Sequence, residues 1–192
     1  MLRCAKLASA IGQQVWTPRV SIDPFVSSAE LHMEFKAFRA RCMAARRIWN
    51  LYTALYECEP HVALLQRTAD AFFSDVQEVV VRHLILEVCV LTDPAASGKD
   101  RDNLTVERIE KRLKEKALHS EEIGNLRSRL VSHGNKIRPA RHKVIAHADL
   151  PTSLIGDQFG QASDGEWQQW WNDLQAFCDE TGRAIGAGPL DF

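Results

Sequence analysis

Apolar side chains recur at alternating steps of three and four from Phe35 through Phe38, Cys42, Ala45, Trp49 and Tyr52 to Tyr56. That spacing lines one face of a helix, so a long amphipathic helix is predicted. Ser27-x-x-Glu30 has the form of a capping box ahead of it, and Glu59-Pro60 should stop it. Lys36, Arg39, Arg41, Arg46 and Arg47 fall off the stripe. A second long helix is predicted from about His61, with its stripe on Leu65, Ala69, Phe72, Val76, Val79, His83, Leu86 and Val90. Residues 79–91 are rich in β-branched side chains and would suit a buried strand. The stripe runs unbroken from Leu65 without a turn signal, which favours helix up to Thr92-Asp93-Pro94.

The polar stretch 94–104 reads as a loop. Thr105 can cap a short charged helix over 106–118, and Ser120 followed by Glu121 and Glu122 can open another. Ser132-His133-Gly134-Asn135 reads as a break or kink. Pro139 then suits either the first turn of a new helix or a kinked continuation, closing before Pro151. After a loop over 151–163, Ser163-x-x-Glu166 forms a second capping box. It precedes a final stripe of Trp167, Trp171, Leu174, Cys178 and Ile185 that Gly186-Ala-Gly-Pro189 ends. Nothing repeats and nothing alternates with strand period. The expected architecture is all-α, a helical bundle built on a long antiparallel helix pair. Its parts would be an arm at 1–26, a helical domain at 27–150, and a loop with a C-terminal helix at 151–192 packed on that domain.

The chain has 192 residues, 45% of them hydrophobic and 26% charged, with a net charge of -1. This composition suits one globular domain. A whole-molecule basic field is excluded, so any anion site must be local. Cys4, Cys42, Cys58, Cys89 and Cys178 are scattered, odd in number and without a CxxC pair, as expected of reduced thiols in the cytoplasm. No run is long enough to cross a membrane. Lys6 interrupts the apolar part of MLRCAKLASAIG, which argues against a signal peptide.

The chemistry is concentrated in Arg138-Pro-Ala-Arg141-His142-Lys143-Val-Ile-Ala-His147-Ala-Asp149. Arginine grips a phosphate with a charged fork, and histidine exchanges protons near neutral pH. Six residues of helix separate Arg141 from His147 by about 9 Å of rise and about 120° of rotation. One straight helix therefore does not bring both to one atom. Either the helix ends before His147, or two protomers oppose their segments across a two-fold axis.

This segment, with Leu91-Thr92-Asp93-Pro94 closing the second helix, resembles the HEPN superfamily (higher eukaryotes and prokaryotes nucleotide-binding), and most closely its AbiU-type abortive-infection branch. The matching residues are Arg141-x-Lys143-x-x-Ala146-His147-x-Asp149. The resemblance covers roughly residues 28–150. It implies a metal-independent endoribonuclease in phage defence or a toxin system, acting as a homodimer on RNA or a nucleotide without a cofactor. Arg141 would hold the scissile phosphate, and His147 would serve as general acid or base toward the ribose 2′-hydroxyl or the leaving oxygen. A regulator or cognate antitoxin is a further implied partner. His142 stands where such motifs often carry a small polar residue, and it offers a second proton carrier. Arg138 and Lys143 are candidate RNA contacts. Asp149 replaces the tyrosine that some family toxins present for nucleotidylation, so that mode of control does not carry over.

Each of these residues has a plainer explanation. Arg141 could be a buried ion-pair partner, with Glu87 in the apolar run as its expected supporting mate, and His147 could face a helix C-terminus. His83 and Glu87, one turn apart, suit a paired couple in the core. His142 and His147 are five apart without a further ligand set, so no metal site is expected. The basic side of the first helix reads as a solvated face, with an RNA-backbone track as the alternative. Trp167, Trp170 and Trp171 fit core or dimer packing better than base stacking. Two functional classes stay open: an endoribonuclease, or a non-catalytic module that binds nucleotide or a partner.

Overall fold

The computed structural model describes residues 24–98, 102–141 and 162–189. They fold into helices α1 (Pro24–Tyr56), α2 (Glu59–Thr92), α3 (Val106–Glu115), α4 (Glu121–Ala140) and α5 (Asp164–Ile185). Among the described residues there is one isolated bridge, Ala96 to Asp102, and no strand. The chain is an all-α bundle, and α1 and α2 are its antiparallel pair. Arg41 bonds Glu87 far from the connection, while near it the Tyr56 hydroxyl donates to the Phe73 carbonyl at 2.9 Å.

The α1 stripe is the core stripe. Phe35, Phe38, Cys42, Ala45 and Trp49 are buried against Trp170, Trp171, Leu174, Phe177 and Cys178 of α5. Phe38 meets Phe177 edge to face at 5.9 Å, and Trp49 stacks on Trp167 at 5.8 Å. Each large apolar side chain taken fully from water contributes about 1.5–3 kcal/mol. Burial, reinforced by a hydrogen bond with Cys178, pushes the Cys42 thiol well above its ordinary range. Both cysteines act as small core hydrophobes.

The helix caps follow the local sequence. Thr105 and Ser120 accept from the backbone N–H groups of Arg108 and Ile123. Ser163 and Glu166 form the full reciprocal capping box, and Gly186 ends α5 in the left-handed region at φ 73°. The first helix departs from expectation. It begins at Pro24, so Ser27 lies inside it, and Glu30 turns outward to Arg112 at 3.1 Å.

The buried face of α2 also differs. Leu84, Ile85, Val88, Cys89, Leu91 and Thr92 enter the core, whereas Phe72, Val79 and His83 are exposed. Apolar residues surround this part of α2, so period alone does not choose a face. The positions of α1 and α4 choose it. A break in helical geometry at Ala69 (φ -163°, ψ 74°) also shifts the phase of the upstream residues.

The predicted break at Ser132–Asn135 does not occur. α4 runs through it and through Pro139 to Ala140, so Arg138 to Arg141 continue α4, and the rest of the Arg-rich segment lies outside the described residues. Gly134 is required by packing. A Cβ there would lie 2.0 Å from the Thr92 hydroxyl, so glycine alone lets α4 approach the end of α2 this closely. Among the described residues, no helix is long and apolar enough to cross a membrane.

Candidate functional site

The site forms where the ends of α2 and α4 meet. Pro94 disfavours helical geometry at Asp93. Asp93 accordingly leaves α2 in an extended conformation (φ -65°, ψ 158°). On α4, Ile137 and Ala140 are buried and hold the helix in place, while Arg138 and Arg141 occupy a neighbouring face three residues apart. Arg141, immediately after α4, keeps right-handed helical dihedrals (φ -56°, ψ -48°).

Asp93 binds both arginines. Its Oδ2 accepts from Arg141 Nη1 at 2.7 Å, and its Oδ1 lies 3.1 Å from Arg138 Nη2. Arg138 also donates to the Thr92 carbonyl at 3.1 Å and to Asn135 Oδ1 at 2.7 Å. The three charged side chains are 22–25% exposed. Among the described residues, two guanidinium groups face one carboxylate, a local excess of positive charge. Arg141 is tethered through one nitrogen, and its Nε and Nη2 bond no described residue. A positioned guanidinium of this kind is suited to gripping a phosphate oxygen pair. The field of both arginines reaches Cys89, one turn back on α2, but burial dominates and raises that thiol.

Glu87 is not the mate of Arg141. It is held in a two-pronged ion pair by Arg41, at 2.8 and 3.0 Å, on the side of α2 facing α1. His83 is exposed, so the expected His83–Glu87 core pair does not form. Asp93, from the Leu91-Thr92-Asp93-Pro94 sequence, is the residue that holds both arginines. The signal for it was its position: an acid at the extended exit of a helix, held there by the following proline.

His142, Lys143, His147 and Asp149 lie outside the described residues. Arg138 and Arg141 are therefore the members of the sequence cluster that the structure brings together. Trp170 and Trp171 are core residues, and Trp167 packs edge-on against His133 at 5.3 Å. Burial lowers the readiness of His133 to take a proton.

A protein-family model of the HEPN class matches residues 28–192. The chain belongs to that family, AbiU2. No curated protein and no solved structure matches it.

Proposed function

We propose that the chain is a metal-independent endoribonuclease of phage defence, working as a homodimer. The observation that supports this most is the Asp93–Arg141 arrangement, which fixes a permanently charged fork through Nη1 and leaves its Nε and Nη2 without a partner among the described residues. Arg141 would grip the scissile phosphate and stabilise the charge that builds there. A histidine, His147 or its copy in the second protomer, would take the proton of the ribose 2′-hydroxyl. The oxygen then attacks phosphorus, the bond to the 5′ oxygen breaks, and a second proton carrier protonates that oxygen. The products are a cyclic phosphate and a 5′-hydroxyl. His142 is the reserve proton carrier, and Arg138 with Lys143 would contact the flanking backbone. The requirement for a 2′-hydroxyl restricts cleavage to RNA.

The same ion pair suits a non-catalytic nucleotide- or partner-binding module, in which Asp93 simply neutralises Arg141. Incubating the pure protein with total RNA in EDTA, beside Arg141→Ala and His147→Ala, separates the two. Cleavage by the parent alone supports the nuclease. Equal cleavage by all three, or none by any, supports the module.

A further inference from the structure

The five cations of α1 do not share one role. Arg41 is spent on Glu87, and Arg46 is half-buried over the Trp171 ring at 5.6 Å. Lys36, Arg39 and Arg47 remain on the outer side of the helix. Lys36 and Arg39, with His32, Phe35, Met43 and Ala187, line a groove of about 470 Å³. Arg47 continues that side one turn beyond Met43.

Among the described residues, no carboxylate lines this groove. Arg39 donates to the carbonyls of Ala187 and Pro189, at 3.4 and 3.1 Å, and makes no ion pair with any described residue. Lys36 and Arg47 make no ion pair with any described residue. The contrast is with the arginines of α3, α4 and α5, which are matched to acids: Arg108 to Glu34, Arg127 to Glu107, Arg129 to Asp173. In a chain of net charge -1, a basic stripe that no described acid matches is a concentrated field on one helix.

We infer that this stripe is a docking track for the backbone of single-stranded RNA, remote from Arg141. The inference rests on the RNA reading above and gives it a binding surface. Lys36 to Arg47 covers about 16 Å of helix. That length spans about five phosphates of a stacked strand, at about 3.4 Å each, and exceeds a small nucleotide. Met43, 41% exposed, adds an apolar surface on which a base can rest. An anionic lipid surface is the weaker fit, because the continuous apolar stripe of α1 is buried in the core and only the separate side chains Met33, Met43 and Leu51 stand exposed on the helix.

The test uses the full chain and a labelled 2′-O-methyl oligonucleotide of ~20 nucleotides, long enough for the track and without the hydroxyl that cleavage needs. Affinity is measured over a salt series for the parent, for Lys36→Gln/Arg47→Gln, and for the matched control Arg67→Gln/Lys111→Gln on other surfaces. The stripe variant should bind about tenfold more weakly at low salt, and its log–log salt slope should flatten by about 1.4, two contacts at about 0.7 each. The control should match the parent. Identical affinity and slope in all three, or no RNA binding, would overturn the inference. So would loss of RNA binding alongside stripe-dependent binding to phosphatidylserine vesicles. Cleavage of unmodified RNA is scored separately. Stripe-dependent binding without cleavage sinks the nuclease reading alone, whereas cleavage with stripe-independent binding sinks the track alone.

Discussion

Asp93 has two carboxylate oxygens and places one on each arginine, so a single substitution disturbs both. Asp93→Asn removes the charge while keeping the shape. It should cost about 1.5–3 kcal/mol of stability, the usual worth of hydrogen bonds to charged groups. Any RNA cleavage should fall further than in a distant variant of equal stability. Denaturant unfolding together with a cleavage assay checks both parts. Gly134→Ala should destabilise by about 1–3 kcal/mol through overpacking. Thr92→Ala should recover part of that loss in the double variant, because the clash is with the Thr92 side chain. The arginines were legible because their density in ten residues is chemically unusual. The partner was not legible. Glu87 and Asp93 are both acids near the end of α2, and only the side on which α1 lies assigns Glu87 to Arg41.

Where side chains satisfy backbone groups locally, helix boundaries follow from sequence. Thr105, Ser120 and Ser163 cap as their residue types require. Faces were less legible. The α1 stripe stands alone on its helix and is the buried one, whereas α2 is apolar on several sides and its neighbours select the face. Ser163→Ala should cost about 1 kcal/mol by losing the cap. Lys136 and the Ser163 backbone N–H hold the Glu166 carboxyl down at about 2. A depressed carboxylate stabilises the fold above its unfolded value of about 4.3, and that contribution is lost as pH falls toward about 2. The stability gap between the parent and Glu166→Gln should therefore be full above about pH 5 and close progressively below it. Thermal melts across that range read it directly.

At the scale of the molecule, the chain belongs to the AbiU2 family over residues 28–192 and folds as an all-α bundle around one core. A straight helix would hold Arg141 and His147 too far apart to share an atom, and of the two solutions, a helix end before His147 or a second protomer, the second is the one proposed. Light scattering at micromolar concentration should give a dimer, and a monomer would contradict the shared cleft. The α1 stripe, as an RNA track, would extend the account beyond the arginine pair, supplying charge for substrate that the net charge of -1 does not. The most direct measurement is cleavage of RNA by the pure protein in EDTA. The account predicts fragments ending in a cyclic phosphate and a 5′-hydroxyl, undiminished by the chelator, with Arg141→Ala and His147→Ala slower by about a hundredfold or more. Intact RNA with the parent protein, or cleavage that both variants retain, would contradict it.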